Sequence, residues 1–317
     1  MAIKNSLTKA AFAEFIATAL FVWIGCGSAL ATNKWGSVTS GGDLLTIAVA
    51  FGFAISLLAY SIGHISGGHI NPAVSFALLI LGEIDAKTMV CYILAQFGGA
   101  VSGALILWGC VASLTQACDD YDDPSSVPVC AASAFPGGRD GYGPPFRLGV
   151  NSLAPRVELG SGFLIELMGT YLLVFTVCMS AVHKKSSAGN AAPIAIGWAV
   201  MTAHIVMVPF TGCGINPARS FGPMAANSIG GVNTWSTGWW IFYVAPFVGA
   251  GLAAMTYRLI FAEDGKEDDD VEKELSSPLT EDEESLAASI FNSAFAEDEE
   301  EDDKTKERKI PESHREV

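Results

Sequence analysis

Charge is scarce in this sequence: 16% of its 317 residues are Asp, Glu, Lys or Arg, against about a quarter in an ordinary soluble domain. Half of the residues are hydrophobic, so the shortage points to a bilayer as the solvent. Clustered basic residues are also missing, and because phosphate binding needs them, nucleic acid is excluded as a partner. Metal-ligand spacing is absent among the seven cysteines. So are any nucleotide motif and any recognisable set of nucleophile, base and orienting group. No enzymatic activity, metal site or cofactor is expected.

The charge that is present is unevenly placed. Residues 263–317 hold 22 of the 33 acidic and 7 of the 18 basic residues, which leaves 11 of each sign for residues 1–262. The net charge of −15 therefore belongs to the tail, whose high charge and few large apolar residues are the composition of a disordered segment. Within it, Ser277-Pro278 and Thr280 precede Glu281, Asp282 and Glu283 in a phosphorylatable pattern. Leu286, Ile290, Phe291, Ala294 and Phe295 would share one helical face. The tail is expected to be a solvated extension, with a regulatory kinase or a docked protein partner as the functional alternative.

Crossing a hydrocarbon layer of about 30 Å takes about 20 helical residues. Six apolar stretches qualify, near residues 10–31, 44–62, 88–114, 160–182, 191–210 and 237–261. They are helices, because lipid offers backbone groups no other partner. The first has lysines ahead of it and Ala29-Leu30-Ala31 near its end, which imitates a cleavable leader. Against that, Glu14 and Thr18 of the first stretch recur as Glu166 and Thr170 of the fourth, and a removable leader would not be repeated inside the mature chain. Cys26, Cys91, Cys110 and Cys178 fall inside these runs and read as small buried hydrophobes. Cys118 and Cys130 lie in the polar connector of residues 115–159, where spacing alone leaves a disulfide open. The connector is expected to be an insertion on the outer side, with shaping of an outer vestibule as the alternative.

A second repeat is sharper. Gly-Gly-His-Ile-Asn-Pro-Ala-Val-Ser-Phe, from Gly67 to Phe76, is echoed by Cys-Gly-Ile-Asn-Pro-Ala-Arg-Ser-Phe-Gly, from Cys213 to Gly222. The chain is thus two halves, about 8–114 and 160–262, forming one body over 1–262 ahead of the tail. Three spans per half is an odd number, so the second half enters the membrane from the opposite side, an inverted repeat. Six spans leave both ends on one side, where Lys4, Lys9, Lys87, Lys184, Lys185 and Arg258 face Lys34, Arg139, Arg147 and Arg156 on the other. The positive-inside rule places both termini in the cytoplasm, in a multi-pass protein expected in the plasma membrane rather than an internal one.

In each copy Asn takes the N-cap and Pro the first helical position, where its missing N–H costs nothing. About ten apolar residues follow each Asn, half of what a bilayer needs. Two half-helices would therefore bring their positive N-terminal ends together at the bilayer midplane. Non-helical backbone at that depth is tolerable only beside protein or a watery cavity.

The paired motif in six spans resembles the major intrinsic protein family, the aquaporins, and the likeness covers about residues 8–262. The resemblance implies an all-α fold of six transmembrane helices plus two re-entrant half-helices, a homotetramer, and a passive, proton-excluding water channel driven by osmotic gradients. Asn71, Pro72 and Ala73 with Asn216, Pro217 and Ala218 would form the pore centre, the two Asn amides donating to a passing water. An interrupted water wire and two helix dipoles would then exclude protons. Carbonyls of Gly67, Gly68 and His69 and of Gly212, Cys213 and Gly214 would line one wall, facing Phe21, Ile55, Leu173 and Val200. The filter is expected at Phe51, His204, Cys213 and Arg219, with Cys213 exposed to thiol-reactive mercurials. Ser220 follows Arg219 where glycerol-conducting relatives tend to carry Asp. Met224 departs from the small residue more usual in water-selective relatives. Glu14 and Glu166 would brace the re-entrant loops rather than relay protons, and His64 and His69 are given ordinary structural roles. Two alternatives remain: a channel for hydrogen peroxide, ammonia, carbon dioxide or, less fittingly, glycerol, and a junction or scaffold protein with a closed pore.

Overall fold

In the computed structural model, residues 6–32, 41–116 and 148–262 are described. Among the described residues eight α-helices run in the order α1 Ser6–Thr32, α2 Gly41–Ser66, α3 Pro72–Leu81, α4 Ala86–Gln116, α5 Leu159–Val177, α6 Ala192–Thr211, α7 Pro217–Ile229 and α8 Ile241–Thr256. Wider π turns at Cys178–Val182 and Tyr257–Phe261 extend α5 and α8. The described residues contain no strand. Six of these elements are long and apolar enough to cross a membrane. The 10 residues of α3 and the 13 of α7 reach only about 15 and 20 Å.

Several ends differ from the expected ones. The first span begins at Ser6, and the second runs to Ser66, where Gly67 at φ 89° turns the chain out of the helix. The sixth starts at Ile241, because residues just before it fold into turns, with Trp239 N donating to Ser236 O and Ile241 N to Gly238 O. The tail, the possible Cys118–Cys130 pair and the first part of the connector lie outside the described residues.

The repeat is visible in the packing. Helix α1 lies against α4 as α5 lies against α8, α3 packs on α8 as α7 packs on α4, and α2 and α6 meet each other. Bare backbone permits these approaches. A Cβ at Gly103 would collide with the Ala19 carbonyl, and one at Gly249 with the Leu167 carbonyl. Between α2 and α6 the corresponding pair is Gly52 and Gly197, 145 positions apart like Asn71 and Asn216. Small residues at contacts are how helices associate where lipid removes the hydrophobic incentive. Large apolar side chains such as Phe53, Leu94, Leu164 and Leu259 stay exposed on the outside, as a lipid-facing surface requires.

Each half-helix has a built start and α3 a built stop. Asn71 and Asn216 sit in extended backbone at φ −153° and −149°. Asn71 Oδ1 accepts from Ala73 N, and Asn216 Oδ1 accepts from Ala218 N and Arg219 N. Gly82, left-handed at φ 84°, ends α3, its N–H bonding Leu79 O while Glu83 N reaches Leu78 O. Asp85 then caps α4, accepting from Thr88 N at 2.7 Å. The Thr88 hydrogen bonds hold its carboxyl below the usual Asp range.

Candidate functional site: two Asn-capped half-helices and an aromatic–arginine cluster

The two half-helix starts meet and bond reciprocally. Asn71 Nδ2 donates to Ile215 O and Asn216 Nδ2 to Ile70 O, both at 2.9 Å. Each asparagine amide therefore has its oxygen taken by its own helix and one N–H taken by the other half of the chain. An amide nitrogen carries two hydrogens, so one N–H per asparagine is left to donate. The sequence reading missed this cross-bond, although the identity of the two motifs carries its signal.

Backbone geometry makes it possible. Gly67, Gly68 and Ile70 have φ of 89°, 67° and 55°, and Gly212, Cys213 and Ile215 have 76°, 54° and 45°. His69 and Gly214 complete the two segments. Left-handed non-glycine residues cost on the order of 1 kcal/mol or more each and persist only when their surroundings hold them. Here the holders are buried carboxylates. Glu14 Oε1 accepts from Ser66 Oγ at 2.6 Å and His69 N at 2.9 Å, and its Oε2 accepts from Ile70 N at 2.6 Å and Gln96 Nε2 at 2.9 Å. Glu166 Oε1 accepts from Thr211 Oγ1 at 2.6 Å and Gly214 N at 2.8 Å, and its Oε2 from Ile215 N at 2.7 Å. In every one of these bonds the carboxylate oxygen accepts, so the two carboxyls tie the backbone of both segments to α1 and α5.

Ser66, Thr211 and Gln96 were not singled out in the sequence. Ser66 and Thr211 are recoverable from their matching offset of 145, whereas nothing local marks Gln96. His69, fully within this network, pairs through Nδ1 with Ser75 Oγ at 3.0 Å and lies edge-on to Tyr92. Tyr92 in turn donates to Ser66 O.

On the α2–α6 side, four further side chains converge. The Phe51 and His204 rings stack with centroids 4.1 Å apart, and Arg219 Cζ stands 4.9 Å from the Phe51 centroid. Phe21 meets Phe51 edge-on at 5.5 Å. His204 Nδ1 pairs with Val200 O, while His204 Nε2 and Arg219 Nε are buried without a partner among the described residues. Cys213 is buried, its Sγ 3.9 Å from Met207 Sδ. Phe21, Ile55, Leu173 and Val200 are all buried in the same core. Met224 is buried too, and its sulfur accepts from Tyr243 Oη of α8. That partner accounts for a large residue there.

The expectation that the connector is a mere insertion needs correction for its described end. Residues 148–154 fold against the aromatic–arginine cluster. Arg219 Nη1 donates to Gly149 O at 2.7 Å, and Ser220 Oγ donates to the fully buried Asn151 Oδ1 at 2.9 Å. Ala154 N bonds Phe210 O at the end of α6. Gly149, left-handed at φ 67°, lies so close to α1 that a Cβ would stand 3.0 Å from Cys26 Cβ. Seven aperiodic residues, too short for a helical or strand pattern, give no sequence signal for such docking.

Six spans, two Asn-capped half-helices entering from opposite repeats, and a buried Arg beside stacked aromatics define a multi-pass membrane channel. The major intrinsic protein family profile matches residues 1–257, and the chain belongs to that family, the aquaporins. It is 37% identical to aquaporin-1 of Sus scrofa over 263 residues, covering 82% of this chain and 84% of that one. Aquaporin-1 of Homo sapiens is 37% identical over 261 residues, with the same coverage. Aquaporin-5 of Sus scrofa is 38% identical over 249 residues, covering 78% and 79%. The X-ray structure of the aquaglyceroporin from Plasmodium falciparum shares the fold with a TM-score of 0.64, at 21% identity, over 80% of this chain and 96% of that one.

Proposed function

We propose that this chain is a passive, proton-excluding water channel driven by osmotic gradients. The carrying observation is the reciprocal bonding of Asn71 and Asn216, which leaves each side-chain amide one free N–H at the meeting point of two half-helix N-termini. A water held there by two donors can offer its own hydrogens only away from them, which interrupts a proton wire. The two helix ends add a positive field equivalent to about half a charge each.

The Phe51, His204, Cys213 and Arg219 cluster is read as the selectivity filter. His204 Nε2 and Arg219 Nε, buried with no partner among the described residues, are the groups a passing water would meet. The bulk of Phe51 and His204 favours water over glycerol, as does Ser220 after the arginine. Carbonyls of Gly67, Gly68, His69, Gly212, Cys213 and Gly214 would supply acceptors along the path, opposite Phe21, Ile55, Leu173 and Val200. Glu14 and Glu166 would hold those carbonyls in place.

Residues 1–262 would be the channel body, with repeat halves of about 8–114 and 160–262 and a long outer connector between them. The proposal extends to a homotetramer in the plasma membrane, both termini cytoplasmic, and residues 263–317 as an acidic tail open to a kinase or a protein partner. Stopped-flow shrinkage of proteoliposomes, run with sucrose and with glycerol, tests the channel reading. Rapid shrinkage in sucrose, with glycerol acting as a nearly impermeant osmolyte, is expected. Flux no higher than that of empty liposomes would refute it.

A further inference from the structure

Phe51 is held from three directions: stacked on His204, edge-on to Phe21, and faced by Arg219. Its fourth neighbour is a missing side chain. A Cβ built on Gly25 of α1 would lie 2.5 Å from Phe51 Cδ1 and Cζ, and closer still to Cε1, well inside van der Waals contact. The ring therefore occupies the volume that any L side chain at position 25 would claim.

Ordinary helix packing does not explain the glycine. Under the offset of 152 that relates Glu14 to Glu166, Gly25 corresponds to Val177, which is buried in the core with its full side chain. The counterpart of Phe51 under the offset of 145 is Ile196, a smaller residue. Glycine appears in the half that carries the large ring. In a helix interior Gly costs about 1 kcal/mol relative to Ala, so a seat for the ring is bought at some expense to α1.

We infer that Gly25 is a specificity-determining residue: by carrying no side chain it seats Phe51 against α1 and so sets the aperture of the filter. The inference rests on the filter reading above. With Phe21, His204 and Arg219 already against the ring, a Cβ at position 25 pushes the ring by its edge out of its seat and into the path proposed for water.

The test uses the full chain, purified and reconstituted at equal protein, as wild type, Gly25→Ala, Phe51→Leu and the double variant. Water and glycerol fluxes are measured by stopped flow, and assembly by size-exclusion chromatography. Alanine favours the helix, so Gly25→Ala is expected to assemble yet conduct water about fivefold or more slowly. Adding Phe51→Leu, which removes the ring edge, is expected to restore flux to within about twofold of the Phe51→Leu channel. Gly25→Ala flux within about twofold of wild type overturns the inference, and so does a loss that persists in the double variant. If Gly25→Ala alone does not assemble, recovery of assembly and flux in the double variant supports the seat, and failure of both overturns it. The filter reading fails separately, if Phe51→Leu leaves the ratio of glycerol to water flux unchanged.

Discussion

Replacing Glu166 by Gln changes one oxygen into an amide nitrogen and nothing else in shape. The Glu166 carboxyl faces three donors, from Thr211, Gly214 and Ile215. The least damaging placement keeps the amide oxygen on Thr211 and Gly214 and turns the new NH2 toward Ile215 N–H, donor against donor. That loses a charge-assisted bond and orphans a buried N–H, a cost of about 2–4 kcal/mol. Ile215 is left-handed at φ 45°, and its carbonyl is the acceptor for Asn71, so release at this point also loosens the contact between the two half-helix starts. Glu14→Gln should be milder. There Gln96 is the fourth partner, and its Oε1 has no partner among the described residues. A flip of the Gln96 amide, with the Ser75 hydroxyl turned to donate where it now accepts from Gln96 Nε2, would let it accept from the new NH2 and recover one bond, roughly 1 kcal/mol. Thermal unfolding of the purified variants, with stopped-flow flux in parallel, measures the difference. Glu166→Gln should lose more stability and more flux than Glu14→Gln. Equal or reversed losses, or both variants within about 0.5 kcal/mol of wild type, would refute the brace argument.

Four further outcomes follow from the same geometry. Mercury should block flux, and Cys213→Ser should remove the block, so an equally sensitive Cys213→Ser channel would contradict the placement of that thiol in the filter. His204→Ala should raise glycerol flux by an order of magnitude or so while water flux changes little, read in glycerol-gradient shrinkage. Asn151→Ala removes the acceptor of Ser220 Oγ, costing about 1–2 kcal/mol; it should also raise urea leakage by loosening the segment that holds Arg219, and an unchanged urea-to-water ratio would show that segment to be passive. Asp85 has a carboxyl pKa lowered by Thr88, so its stabilising effect is full above the ordinary Asp range and fades only as pH falls through the depressed value. The gap in unfolding temperature between wild type and Asp85→Ala should accordingly persist at pH 5 and close under strongly acidic conditions.

How much of this could be read beforehand depends on whether a contact leaves a local trace. The six spans were legible because lipid forbids charge over about 20 residues. The half-helices were legible because Asn-Pro caps a helix wherever it sits. Glu14 and Glu166 stood out as carboxylates in apolar runs. By contrast, Gln96 reaches Glu14 across 82 positions and Gly149 reaches Arg219 across 70, distances over which periodicity says nothing. The first residues of α1 were missed because Ser6 to Lys9 is too polar to register as span, though it continues the same helix.

The inverted repeat raises a further question, because symmetry alone would build the same cluster at both ends of the bundle. Moving Phe51, His204, Cys213 and Arg219 by 145 positions gives Ile196, Ala59, Gly68 and Val74. The offset is trustworthy over this stretch, since it also relates Gly52 to Gly197, Ser66 to Thr211, and Ile70 to Ile215. At the second end, then, the ring pair is replaced by smaller aliphatic residues, the thiol by hydrogen and the guanidinium by a valine. The backbone framework that the two carboxylates hold is duplicated, while the side chains that would discriminate between solutes are not. A buried guanidinium costs a few kcal/mol or more at membrane depth unless carbonyls and water compensate it, and in this chain Gly149, from the connector between the halves, supplies such a carbonyl. The repeat itself contains no second copy of that connector. The aromatic–arginine cluster is therefore built once: its arginine bonds a carbonyl that lies outside the duplicated unit.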